Sequence, residues 1–238
     1  YGEMFMQNKR GGIVAIEPKT GEILALVTSP SYDPALLIGR QRSKNYTMLH
    51  NDSIAKPLYD RGLLAEYPPG STFKMITGLI ALQEGVIDTD DTFICNSGFS
   101  YGRGAFMGCH SHSSVTNFHL AVYQSCNTYF SQVYRKSIDK YSSPQEGIDN
   151  WAKHVKSFGL GNFLGSDLPI GRRGKLPSSE YYNKIYKFPT YKWNSTATIS
   201  NAIGQGEIIA TPIQLANMTA AIANRGYYYI PHIIKEID

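Results

Sequence analysis

Nowhere in its 238 residues does this chain carry an apolar run of the about 18–20 residues that a membrane-spanning helix needs. No segment of it therefore reads as a span. Lysine and arginine number 23 against 19 acidic residues, they form no basic run, and the net charge is a mild +4. That balance excludes an electrostatic grip on nucleic acid. Repeats and low-complexity stretches are lacking, which excludes solenoids and compositional tails. Cysteine is scarce, and its count of three leaves one thiol over from any disulfide scheme. What remains is an ordinary globular composition, 42% hydrophobic and 18% charged, with length enough for one sizeable core or two small ones. The 17 tyrosines fit core and surface positions before they fit a groove for a polar polymer.

The stretch Tyr67-Pro-Pro-Gly-Ser-Thr-Phe-Lys74 carries the most chemistry. A Pro-Pro-Gly turn delivers Ser71 to the start of an apolar helical run, Met75, Ile76, Leu79, Ile80 and Leu82. Ser and Lys three apart share a helix face, and the first turn offers unpaired N–H groups. A serine becomes nucleophilic there without histidine if Lys74, kept neutral by its surroundings, takes the proton. The same pattern occurs at Ser53-Ile-Ala-Lys56 and Ser137-Ile-Asp-Lys140. Pro57 biases Lys56 away from the helical region, and the second pair closes a helix running out at Tyr141-Ser-Ser-Pro144, read as a solvated end. Ser125-Cys-Asn127 lies 54 residues after Ser71 on another segment. Its hydroxyl can relay a proton, and its amide can bind a peptide carbonyl and contact the lysine.

Elsewhere the pattern predicts a hairpin, strands 12–16 and 23–27 around Pro18-Lys-Thr-Gly21, and a long irregular connection over 30–66. A helix follows Ser71 to about Gln83. A loop fills 95–116, and helical periodicity runs from Leu120 to Val133, interrupted or pinned at Ser125-Cys-Asn127. Another helix spans Pro144 to Phe158, residues 160–200 are turns and aromatics, and Thr211-Pro-Ile-Gln opens a last helix. His50, His119, His154 and His232 read as surface or capped residues.

Together these features resemble the transpeptidase domain of penicillin-binding proteins, with its Ser-x-x-Lys, Ser-x-Asn and Lys-Thr-Gly set. The match is close to the class B, elongation-type branch, penicillin-binding protein 2. Gly12-Ile-Val-Ala-Ile-Glu-Pro-Lys-Thr-Gly21, Ser29-Pro-Ser-Tyr-Asp-Pro34, Tyr67–Lys74, Ser125-Cys-Asn-Thr-Tyr-Phe130, Gly204-Gln-Gly206 and Ala210-Thr-Pro-Ile-Gln-Leu-Ala216 follow the family's order. The resemblance implies an α/β (α+β) fold of the penicillin-binding-protein and serine β-lactamase type, an antiparallel sheet flanked by helices. It assigns Ser71 as nucleophile, Lys74 as base, and Ser125 and Asn127 as the second motif. The backbone N–H of Ser71 would be half of the oxyanion hole. Lys19-Thr-Gly21 spells the third motif but precedes the nucleophile at a hairpin turn, where it is turn chemistry. The family's version belongs after the Gly-Gln-Gly region. A lone hairpin is marginal with an open edge, so residues 1–238 are expected to be a partial transpeptidase domain, without the C-terminal strands, the N-terminal pedestal and the membrane anchor.

Cys95, Cys109 and Cys126 fall within a 32-residue window that also holds His110 and His112. Three thiolates and one imidazole make a closed tetrahedral zinc site, with Cys95, Cys109, His112 and Cys126 as the expected ligands and His110 as the competitor. Some elongation-type relatives resemble this in having a metal near the second motif. One disulfide with a free thiol, or three buried thiols, are the alternatives. Zn2+ there would be structural, pinning the residues that flank Cys126.

The function implied is a peptidoglycan D,D-transpeptidase working through a serine acyl-enzyme on stem peptides, trapped by β-lactam antibiotics. Alternatives are a D,D-carboxypeptidase or β-lactamase, a β-lactam sensor, and a catalytically dead scaffold. By the same analogy the protein works in cell elongation at the periplasmic face of the inner membrane, with a glycosyltransferase and scaffold proteins as partners and no nucleic acid.

Overall fold

Residues 1–102, 104–112 and 115–236 are described by a computed structural model of the chain. In chain order the helices are α1 (Gly2–Phe5), α2 (Arg42–Asn51), α3 (Arg61–Leu64), α4 (Lys74–Gln83), α5 (Phe118–Tyr123), α6 (Asn127–Asp139), α7 (Pro144–Ser157), α8 (Ser179–Ile185) and α9 (Pro212–Ala223). The strands are β1 (Gly11–Ile16), β2 (Ile23–Ser29), β3 (Phe93–Ile94), β4 (Gly98–Gly102), β5 (Ala105–Gly108) and β6 (Val115–Thr116). Short 3-10 segments run over Pro34–Leu37, Gly70–Phe73 and Ser195–Ile203. The chain divides into two units, Tyr1–Tyr67 with Phe158–Gly174 and Ala210–Asp238, and Pro68–Ser157 with Lys175–Ile209.

In the first unit the Pro18–Gly21 turn folds β1 against β2 in the expected antiparallel hairpin, Ile13 opposite Val27 and Ala15 opposite Ala25. Helices α3 and α9 pack on β1. Helix α9 starts where the sequence places it. The Thr211 hydroxyl accepts the Gln214 N–H and the Gln214 side chain accepts the Thr211 N–H at 2.9 Å, a reciprocal cap. Residues 30–66 are not the irregular connection expected. They include α2, whose Arg-Ser-Lys-Asn-Tyr-Thr-Met-Leu-His-Asn sequence buries only Leu49 and so carries no apolar stripe to read.

The second unit holds the larger helical core. Phe130, Val133, Tyr134 and Ile138 line one face of α6, and all are fully buried. Against them lie Ile76 and Ile80 of α4 and Ile148, Trp151 and Val155 of α7. The Trp151 ring meets Tyr134 edge-on at 5.5 Å and Phe73 at 6.0 Å. The expected loop 95–116 contains short strands among its described residues, β4 paired with β5 and β6 paired with β3 just ahead of the loop, while residues 103, 113 and 114 lie outside the described residues. Such short strands show too little alternation to be read. Within 160–200, α8 and the Ser195–Ile203 segment are also ordered helices, entered through the Ser178 and Asn194 caps.

The end of α6 is solvated at Asp139 and Lys140, whereas Ser137 faces the core. Ser137 is buried, and its hydroxyl donates to Val133 O. Lys140 Nζ donates to Glu84 at 2.8 Å, joined there by the Tyr141 hydroxyl at 2.9 Å and His154 Nε2 at 2.6 Å. His154 is thus a tether rather than a surface residue. These donors, Lys140 first, hold the Glu84 carboxyl down at about 2.

Candidate active site and metal centre

The Pro68-Pro69-Gly70 lead-in ends in the 3-10 turn Gly70–Phe73, which leaves Ser71 exposed and turns Phe73 fully into the core. Lys74 begins α4 and is only 3% exposed. Its Nζ donates to the Ser125 carbonyl at 2.6 Å and to Ser125 Oγ at 2.8 Å, with the Phe130 ring centroid 6.0 Å away. Burial lowers the Lys74 pKa from its ordinary value, opposed by the nearby Cys109 and Cys126 thiols. A buried amine so treated loses its proton more readily than a surface lysine, which a base for a serine hydroxyl requires.

The expected break in the helix at the second motif is real: α5 ends, and α6 begins at Asn127. Ser125 takes the left-handed conformation, φ 50°, at the close of α5. Its N–H donates to Val122 O, and the Cys126 N–H donates to Ala121 O at 2.9 Å. That reversal turns the Ser125 carbonyl and hydroxyl toward one amine. Asn127 departs from expectation in its contact. Its Nδ2 donates to the Gly108 carbonyl at 2.8 Å, and the lysine is met by Ser125 instead. Of the other Ser-x-x-Lys pairs, Ser53 and Lys56 lie beyond the end of α2, with Lys56 at φ 48° ahead of Pro57.

Behind this turn the four expected metal ligands come together. The Sγ atoms of Cys95, Cys109 and Cys126 and a ring nitrogen of His112 lie within 4.8 Å of one another. All three cysteines are free thiols, so no disulfide joins them. A tetrahedral zinc with arms of about 2.3 Å has edges of roughly 3.8 Å, so a small contraction would close the set. His112 Nε2 already sits 3.2 Å from Cys109 Sγ. His110 is turned instead to the Gln124 carbonyl. Cys126, 1% exposed, caps α6, its Sγ accepting the Tyr129 N–H. Cys109 Sγ accepts the Asn127 N–H at 3.2 Å, and Cys95 Sγ lies 3.1 Å from Thr128 Oγ1. The cluster therefore grips the first turn of α6 directly beside Ser125.

The geometry also pairs two of the motif blocks with each other and brings in Thr77 and Ala202, which no motif named. Gly204 O accepts the Gly70 N–H at 2.8 Å, and Ala202 O accepts the Thr77 hydroxyl at 2.8 Å. Neither partnership has a sequence signal, because more than 120 positions separate the partners.

A family model described as penicillin binding protein transpeptidase domain matches residues 11–238. The peptidoglycan D,D-transpeptidase MrdA of Acinetobacter baumannii is 38% identical over 239 residues, covering 97% of this chain and 33% of that protein. The chain thus spans about a third of the length of this curated relative. The crystal structure of Pseudomonas aeruginosa PBP2 in complex with WCK 5153 is similar with a TM-score of 0.85 and 34% identity, over 99% of this chain and 51% of that one. PBP2 of Helicobacter pylori, solved in complex with MreC, is similar with a TM-score of 0.80 and 28% identity, over 97% of this chain and 41% of that one.

Proposed function

Because the chain belongs to the penicillin binding protein transpeptidase family, we propose that it carries the acyl-transfer machinery of a peptidoglycan D,D-transpeptidase active in cell elongation. The observation that supports this most is the buried Lys74 amine, held 2.8 Å from Ser125 Oγ and one 3-10 turn from the exposed Ser71. Ser71 Oγ gives its proton to Lys74 Nζ as it bonds the penultimate D-alanine carbonyl carbon of a stem peptide. The Ser71 N–H helps stabilise the oxyanion. The carbon–nitrogen bond then breaks, and the terminal D-alanine leaves with a proton passed through Ser125. An amine of a neighbouring stem displaces Ser71 from the ester and forms the cross-link. Asn127, tied to Gly108, orients the peptide. β-Lactams enter as acyl donors whose ring-opened product stays on Ser71.

Cys95, Cys109, His112 and Cys126 would hold a Zn2+ ion, which when bound supplies rigidity to the Ser125 turn and no step of the reaction. The closed set of four ligands leaves no position for substrate. We further propose that the protein acts on the periplasmic side of the inner membrane, with a scaffold protein and a polymerising glycosyltransferase as partners. The H. pylori relative was solved with MreC, which supports the former.

Intact mass of the whole protein after exposure to a penicillin tests the central proposal. One adduct mapped to Ser71, absent in Ser71→Ala, is expected. A folded protein with no adduct would overturn it.

A further inference from the structure

We propose that residues 201–207 form a clamp that positions Ser71 and Lys74, with Asn201, Tyr182 and Glu207 as the positioning residues that hold it. This rests on Ser71 and Lys74 being nucleophile and base. The clamp grips the reacting turn on both sides. Gly204 O accepts the Gly70 N–H at 2.8 Å, one residue before Ser71. Ala202 O accepts the Thr77 hydroxyl at 2.8 Å, three residues after Lys74, and Thr77 is 1% exposed. The first contact tolerates no side chain. Gly204 is left-handed at φ 67°, and a Cβ there would sit 2.3 Å from Gly70 O and 2.6 Å from Phe73 Cβ.

A buried polar network supports the clamp from behind. Asn201, with no exposed surface, donates from Nδ2 to the Tyr182 hydroxyl at 2.7 Å and the Tyr134 hydroxyl at 3.4 Å. Tyr182 donates to Glu207 Oε2 at 2.6 Å, and Tyr134 meets Thr198 Oγ1 at 2.9 Å. The segment is thus tied at Thr198, Asn201 and Glu207, on both sides of the carbonyls at 202 and 204. Apolar residues could fill this volume, but only directional bonds fix where those two carbonyls point. The consequence is kinetic, since a displacement of about 1 Å in a reacting group costs on the order of 10²-fold in rate.

The test uses the intact protein and three variants that leave Ser71, Lys74, Ser125 and the cysteine cluster untouched. Thr77→Val removes one grip isosterically, Tyr182→Phe cuts the network at its centre, and Glu207→Gln weakens its outer end. A chromogenic cephalosporin in stopped flow separates the limiting acylation rate from the dissociation constant of the first complex. Thr77→Val and Tyr182→Phe should lower the acylation rate roughly 10- to 100-fold with the dissociation constant unchanged. The Tyr182→Phe/Glu207→Gln pair should lose no more than Tyr182→Phe alone. Hydrogen exchange at the Gly70 amide should quicken in the Tyr182 variant. Parental acylation rates, or losses confined to Tm or to the dissociation constant, would overturn the clamp. A parent protein that forms no adduct would sink the proposed reaction and with it the kinetic part of this inference, leaving only the grip on Gly70. Gly70 exchange then decides the clamp alone, and unchanged exchange in the variants would refute it.

Discussion

Ser125 holds a left-handed backbone that its β-carbon makes costly, by roughly 1–2 kcal/mol. The surrounding bonds hold it there, and the result is a carbonyl and a hydroxyl on one lysine. Ser125→Gly separates the two effects. It should raise stability by up to about 1 kcal/mol by removing the strain, seen as a higher Tm, while lowering acylation about 10²-fold through the lost relay hydroxyl. A drop in both would assign Ser125 to packing. Lys74 makes a second residue-scale prediction. Since burial lowers its pKa, acylation should rise with pH and level off below the 10.5 of an ordinary lysine. Lys74→Ala should cost about 10²–10⁴-fold and flatten that profile.

Between residues and the whole lie the elements that carry them. Helix α6 is held at its start by thiols and along its length by aromatic packing, so the two can be disturbed separately. Cys126→Ser removes one ligand and leaves a helix cap in place. It should abolish the one zinc expected by native mass spectrometry and lower acylation with it. Unchanged acylation on a zinc-free protein would remove the cluster from any part in placing Ser125. Trp151→Ala acts along the length of α6, in the contact with Phe73 and Tyr134. It should cost about 3–5 kcal/mol in a denaturant melt.

At the scale of the molecule, Glu84 and Lys74 both make stability rise with pH, in separate windows. The Glu84 carboxyl is held at about 2 against 4.5 when unfolded, chiefly by its Lys140 hydrogen bond. Its contribution is complete above pH 4.5 and is lost as pH falls from there toward 2. Glu84→Gln should cost about 1–3 kcal/mol at neutral pH and blunt that acid limb in thermal melts taken across pH. Lys74 acts in the alkaline range. Its lowered pKa means the buried ammonium opposes folding at low and neutral pH, and that cost is relieved as pH rises toward 10.5. Lys74→Met should remove the alkaline rise, and an unchanged slope would contradict the burial.

Local chemistry was legible along the chain. Pro18–Gly21 makes a turn, Thr211-Pro-Ile-Gln214 caps a helix, and Pro-Pro-Gly before an apolar run presents Ser71. The close spacing of the cysteines and His112 also marked them as one group. Apart from the cysteine group, which rests on composition over a 32-residue window, those signals lie within one or two turns of chain, where propensity and capping act. Packing in three dimensions selected which partners meet across distance. It put Lys74 on Ser125 rather than Asn127, chose His112 over His110, and ran Glu84 to Lys140 and His154. It also laid Gly204 against Gly70. Short strands and α2 escaped notice because they bury too little to imprint a period. The long-range contacts escaped because a hydrogen bond between residues 134 positions apart is fixed by packing, which leaves no pattern in either segment.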